Sequence, residues 1–274
     1  MSTPATTRLA LPGTVAIGLR RVHIELLTFT RDREAAFFTL ILPVLLLVVF
    51  GSAFNDDVAP GIPFSQYFLA GMIASGVVYT AFQNLAIVIP QERDDGTLKR
   101  LQGTPMPKAA YFVGKVGVVL VVYVVQVSLL MLIGVTLFDV SLSSDPQDWV
   151  VFTWLSILGL VCCTLLGVAF SSLVKTGRGA PALVSPVVLV LQFTSGVFFQ
   201  YDELPPWMQQ FAAIFPLKWL CQGMRSVFLP DSFQRQELAG SWELGRVALV
   251  LVLWSVAALV LALRSFRWQR REET

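Results

Sequence analysis

Six long apolar stretches leave this chain little choice of architecture. A hydrocarbon core about 30 Å thick is crossed by about 20 helical residues, and apolar runs of that length recur at 35–54, 67–89, 111–138, 149–174, 179–199 and 246–263. Backbone polar groups find no partner in lipid, so each run must be a helix or belong to a closed barrel. Barrel strands alternate apolar and polar residues with period two, and neither Leu40–Phe50 nor Val116–Val125 does so. The reading is an all-α polytopic membrane protein with six transmembrane helices. Composition excludes a soluble domain: 14% of residues are charged and mean hydropathy is +0.69, against about 25% charged in soluble domains. Met1 to Leu11 lacks an apolar stretch followed by a cleavage site, so the first span is expected to direct insertion.

Short loops rich in Lys and Arg stay in the cytoplasm. Arg8, Arg20, Arg21, Arg31 and Arg33 precede the first span; Arg93, Lys99, Arg100 and Lys108 follow the second; Lys175 and Arg178 follow the fourth; Arg264, Arg267, Arg270 and Arg271 follow the sixth. The loops at 55–66 and 139–148 carry only acids. Both termini are therefore expected in the cytoplasm. The net charge of +2 reflects this topology and no nucleic-acid partner, which would need a basic face on a folded domain.

Residues 1–34 read as a cytoplasmic N-terminal segment and 35–274 as the transmembrane domain. Within the former, Val15, Leu19, Val22, Leu26 and Phe29 recur at steps of four and three, with Arg20, Arg21 and Glu25 off their face. That pattern predicts an amphipathic helix lying at the membrane interface. His23 is the only histidine, and with no second ligand near it no metal site is expected. Cys162, Cys163 and Cys221 make no disulfide framework.

The loop at 90–110 differs in kind. Pro90 is expected to end the second span, and Glu92, Arg93, Asp94 and Asp95 follow it. After Gly96, Thr97 is placed to cap a short helix carrying Leu98 and Leu101 on one side and Lys99 and Arg100 on another, stopped by Pro105 and Pro107. Such a rigid amphipathic element beneath the membrane can be gripped by a partner that moves.

The outer loop at 200–245 repeats Trp207, Phe211 and Phe215 at steps of four, breaks at Pro216, and resumes with Leu217, Leu220, Met224 and Val227. Two short re-entrant helices at the outer interface are expected, their aromatic residues forming a belt. The span interiors read as free of ionisable residues, which disfavours a proton route. Their neutral polar groups, Gln83, Asn84, Gln126, Ser128, Gln192, Thr194 and Ser195, either line a path for an amphipathic molecule or tie helices together. Gly159, Cys163, Gly167 and Ser171 place a small residue at every fourth position of the fourth span, where another helix can approach closely. Pro43 and Pro186 are expected to kink the first and fifth spans.

The segment QERDDGTLKRLQGTP at Gln91 to Pro105 resembles the signature of type-2 ATP-binding-cassette exporter permeases, most of all bacterial drug-export subunits, at Glu92, Arg93, Gly96, Thr97, Leu98, Leu101, Thr104 and Pro105. A second likeness lies in Ser195 to Phe228, with its Leu-Pro-Pro-Trp turn and later Phe-Pro; Gln200 departs from it where many relatives carry proline. The resemblance implies a subunit of the bacterial cytoplasmic membrane paired with a second permease chain, itself or a sister. Two cytoplasmic P-loop ATPases would dock beneath the pair, carrying the ATP and magnesium. Val15–Arg31, with Arg20 on it, would be the connecting helix and Thr97–Gly103 the coupling helix. Pro205, Pro206, Trp207, Phe211, Phe215 and Pro216 would form an outer gate, and Gln83, Asn84, Gln126, Gln192 and Thr194 the substrate path. The chain has no phosphate-binding loop of its own: Gly114-Lys115 is followed by Val116 and lacks the upstream glycine. No catalytic residue or cofactor is therefore expected here, and the implied activity is outward transport of drugs or lipids. Two alternatives stand beside it: export of a lipid-linked glycan or envelope precursor, and a membrane sensor or scaffold.

Overall fold

A computed structural model describes residues 13–54 and 56–265. Most of the described residues are helical. Helix α1 (Thr14–Arg31) leads into α2 (Arg33–Ala53) across Asp32, whose side chain accepts from Ala35 N and caps the second helix. A two-strand antiparallel ribbon, Asp57–Ala59 with Ile62–Pro63, turns the chain back. A 31-residue helical run at Phe64–Asp94 follows, made of α3 (Phe64–Val77), a π-helical segment (Val78–Gln83) and α4 (Asn84–Asp94).

Beyond it come α5 (Thr97–Gln102), α6 (Lys108–Phe138), α7 (Pro146–Ser171) and α8 (Ala180–Thr194). Two short helices, α9 (Pro206–Ile214) and α10 (Pro216–Phe228), precede α11 (Leu244–Ser265). Pro146, Pro206 and Pro216 each stand at a first helical position, where the missing N–H has no helical partner to lose.

Among the described residues, five helices are long and apolar enough to cross a membrane. The fifth span expected at 179–199 is shorter: α8 has 15 residues, about 22 Å at 1.5 Å per residue, and the helix stops at Thr194. The run Phe64–Asp94 is the axis of the bundle, with 72% of its most apolar window buried against 17% for α2. Pro90 does not end it. The helix runs on to Asp94, because the charges beyond Pro90 all have bonding partners. Pro43 and Pro186 also sit inside continuing helices.

The small-residue stripe of α7 faces partners within the chain. A Cβ on Gly159 would lie 2.7 Å from Leu220 of α10, and one on Gly167 would lie 2.8 Å from the carbonyl oxygen of Phe82. The widened turn of the π segment thus presses its carbonyls against α7, and only glycine leaves room for them. Helix α10 is a core element and no interfacial one: Leu217, Leu220, Met224 and Val227 are buried against α3, α7 and α11. Of the two outer helices only α9 has the exposed aromatic character expected, with Trp207 at 65% and Phe211 at 38%.

Candidate functional site

The acidic-basic run after the second span fastens that helix to its neighbours. Glu92 Oε1 accepts from Lys115 Nζ at 2.6 Å and its Oε2 from the Tyr111 hydroxyl at 2.7 Å, both on α6. The Arg93 guanidinium donates to the carbonyls of Ser171 (3.0 Å) and Val174 (2.8 Å), satisfying the C-terminal end of α7. Asp94 accepts from Gly177 N at 2.5 Å. Asp95 accepts from Thr97 N, the first residue of α5, at 2.8 Å, and the N-cap position is Gly96 and not Thr97. Gly96, at φ +77°, makes the left-handed turn between α4 and α5.

The short helix is thereby held at a fixed angle. Leu98 is fully buried in the chain's own core and Leu101 packs partly against it. The leucine pair anchors α5, then, and the residues presented outward are Lys99, Arg100, Gln102, Thr104 and Pro105.

Helix α1 lies along α6. Of its apolar positions Val22, Leu26 and Phe29 are half-buried, with Glu25 buried beside them, while Val15 and Leu19 are exposed, at 67% and 63%, as are Arg20 and His23. Ion pairs draw Glu25 inward. Glu25 Oε2 accepts from Lys115 Nζ at 2.9 Å, and Arg21 pairs with Glu25 at 2.7 Å and stands 3.8 Å from Glu92. Glycines supply the remaining room, since a Cβ at Gly114 or Gly117 would come within 2.4 Å of Arg21 or 2.3 Å of Val22. The third span is therefore not free of ionisable groups: Lys115, only 2% exposed, sits near its start and gathers both acids. A lysine interrupting an apolar run was the visible signal, because such residues in spans are paired and functional by default.

A second buried ion network lies at the far end of the same helical run. Arg225 of α10 donates from Nε to Glu237 at 2.7 Å and from Nη1 to the Tyr67 hydroxyl and the Gly196 carbonyl, each at 3.3 Å. The Tyr67 hydroxyl donates in turn to the carbonyls of Gly196 (3.0 Å) and Phe199 (3.1 Å). Burial pulls the Arg225 guanidinium down, but Glu237 and Tyr67 outweigh it and hold it above its ordinary pKa. Lys218 bonds the Gln222 carbonyl oxygen and lies 3.8 Å from the Trp219 ring. With no carboxylate within ion-pair distance among the described residues, burial pushes its amine down to about 8.

The residues expected to line a path lie on the axis helix, α6 and α8. Gln126 and Gln192 are fully buried inside the bundle, and Gln83 and Asn84 are half-buried on the axis helix. Thr194 does meet the expected outer gate: with Leu189, Val190 and Phe193 of α8 and Trp207, Met208 and Phe211 of α9, it lines a pocket of about 360 Å³. Pro205 and Pro206 are exposed at the start of α9, Phe215 is half-buried and Pro216 buried at the start of α10.

The sequence profile described as ABC-2 type transporter matches residues 22–229. The chain belongs to the ABC-2 type transporter family. It is the membrane-spanning subunit of an ABC transporter, a multi-pass inner-membrane protein, and membership implies association with an ABC ATPase subunit. The chain is 24% identical over 237 residues to the "Inner membrane transport permease YadH" of Escherichia coli (strain K12), covering 83% of this chain and 90% of that one. Against the "Putative transport permease YvfS" of Bacillus subtilis (strain 168) it is 21% identical over 192 residues, 70% of this chain and 77% of the relative. The "Probable multidrug ABC transporter permease YbhR" of Escherichia coli (strain K12) is 22% identical over 180 residues, 63% of this chain and 46% of that protein. The match to the ABC-2 profile includes α5, both ion networks except Arg21 and Glu237, and the whole π segment.

Proposed function

We propose that this ABC-2 subunit exports hydrophobic or amphipathic molecules, drugs or lipids, outward across the membrane in a complex of two permease chains and two ATPase subunits. The single observation carrying the reading is the exposed, rigidly held face of α5, with Lys99 and Arg100 outward and Leu98 buried behind them. A lever of this kind transmits force because its root is fixed by Glu92, Arg93, Asp94 and Asp95. The end of the bundle carrying α1 and α5 is the cytoplasmic one, consistent with its basic loops. For the cargo, the pocket between α8 and α9 is lined by apolar and aromatic side chains and one threonine, which suits an apolar molecule and offers nothing to a bare ion. The relative named as a multidrug permease supports the same class.

The test is purification of the tagged chain from its native membrane, identification of what accompanies it, and ATP hydrolysis and dye efflux by the reconstituted complex. Lys99→Glu with Arg100→Glu should leave insertion intact and abolish ATP-dependent efflux. Efflux at the wild-type rate in that variant, or a well-folded preparation free of any ATPase, would sink the proposal.

A further inference from the structure

Two blocks of helix meet at the α5 end of the bundle. Helix α1 packs along α6, while α4 packs chiefly on α7 and α8 and carries α5. Lys115 is the centre of the bridge between the blocks, with Tyr111 of its own helix and Arg21 of α1 also reaching Glu92. Lys115 of α6 reaches Glu25 of α1 at 2.9 Å and Glu92 of α4 at 2.6 Å, and its neighbour one turn back, Tyr111, holds the other oxygen of Glu92 at 2.7 Å. These bonds join segments 90 and 23 residues apart. Neutralising buried charge would need no such span, because Arg21 already pairs with Glu25 within α1.

The chain from this bridge to α5 is also short and fixed. Glu92 lies on the last turn of α4, and the turn that follows is set by the Asp95 bond to Thr97 N and by Gly96. On the other side α1 cannot slide on α6 freely, since Val22 fills the space where Gly117 lacks a side chain.

We propose that Lys115 is a positioning residue for transport, fastening α1 and the α4–α5 elbow to α6 so that a displacement of α5 reaches α6 as rigid-body movement. Without Lys115 only the Tyr111 bond and the longer Arg21 contact would tie the elbow to α6 and α1, too little to keep it from moving with α7. The proposal rests on the reading above that an ATPase acts on α5.

The experiment uses the complex with its co-purified ATPase in lipid discs. Spin labels are placed at Gln91 of α4 with Val116 of α6, and at Gln91 with Leu19 of α1, all exposed positions off the outward face of α5; the native cysteines are buried. Both distances should stay constant between the nucleotide-free and the ATP-plus-vanadate states in the wild type and in Lys115→Arg. In Lys115→Met both should broaden and shift with nucleotide while the ATPase still co-purifies. A wild-type distance that already changes with nucleotide overturns the proposal without any substitution in Lys115, as does a Met variant indistinguishable from wild type.

A disulfide tests the α1–α6 half independently of that lysine. A Cβ at Gly117 lies 3.3 Å from that of Val22, near the about 3.5–4.5 Å a disulfide needs. Oxidised Val22→Cys with Gly117→Cys should hydrolyse ATP as its reduced form does. Hydrolysis lost on oxidation and restored by reductant would mean that α1 must move against α6, which overturns the idea. Absence of any ATPase from the wild-type preparation is a separate failure: it withdraws the transport reading, and this proposal with it.

Discussion

The axis helix is pinned at both ends by buried ions, and the two pins differ in stoichiometry. At the α5 end two acids face two bases drawn from three helices, and Glu92 and Arg21 each keep 14% of their side-chain surface exposed. Arg21, 3.8 Å from Glu92, stands ready as a second partner. At the α10 end a single acid, Glu237, faces Arg225 with exposures of 4% and 1%, and the other bonds go to a tyrosine and to backbone carbonyls. The first pin is a network centred on Lys115, in which each acid has more than one partner; the second cannot open without stranding a charge. Helix α10 is thus bound to α3 through one indispensable ion pair, while the junction of α1, α4 and α6 is held by several bonds at once.

The sharpest way to break this contrast is to remove one partner from each pin. Arg225→Met leaves Glu237 buried and uncompensated and should lower stability by about 3–5 kcal/mol, read as a large fall in the thermal midpoint of the detergent-solubilised protein. Glu92→Gln keeps a hydrogen-bonding side chain, leaves Arg21 free to hold Glu25, and sits partly in solvent. Its expected loss is about 1–2 kcal/mol. Equal losses in the two variants would mean that both ends are equally rigid.

The contrast also explains what could be seen in the sequence. Spans were legible because lipid imposes length and polarity on each segment separately, and α2, α6, α7 and α11 fall close to where hydropathy puts them. The partners of Lys115 and Arg225 were not, lying 23 and 90 residues from the first and 12 and 158 from the second. The periodicity of α1 marks Val22, Leu26 and Phe29, which turn toward the bundle, but gives no sign of Glu25, drawn inward by a lysine on another helix. Helix α10 was legible as a helix, while its burial was hidden by Lys218, Gln222 and Arg225, polar residues that read as solvent-facing until their partners are known. The signature run was found by likeness, but which of its residues point inward depends on α6 and α7.

Lys218 sharpens the comparison further, being the cation of the α10 end with no carboxylate beside it. Its surroundings include Glu237, Arg225, Glu243 and Arg246. With its folded pKa near 8 instead of 10.5, the amine is charged in both folded and unfolded states below about 8, where burial weighs on stability in full. Between there and the unfolded pKa the folded state has shed its proton while the unfolded chain still holds one, so stability rises with pH across that window. Lys218→Met should flatten this rise and stabilise the protein at neutral pH by on the order of 1–2 kcal/mol. Thermal midpoints of the two proteins at pH about 7 and about 9.5 check it; a parallel pH response in both would assign the rise elsewhere.

Between the pins, Gln126 supplies the smallest and most discriminating test. Its side chain is fully buried, neither amide atom has a hydrogen-bond partner among the described residues, and its oxygen lies 3.1 Å from where a Cβ on Gly76 would stand. A buried amide without partners is unfavourable, whereas leucine fills a similar volume with no polar group. If the middle of the axis helix is only packing between two pins, Gln126→Leu should raise the thermal midpoint, by about 1 kcal/mol in stability, and leave efflux unchanged. If Gln126 instead contacts cargo or takes a partner in another state of the cycle, the same substitution should stabilise the resting protein and slow efflux. The pair of readouts separates the two, because a helix tie has no way to lose transport while gaining stability.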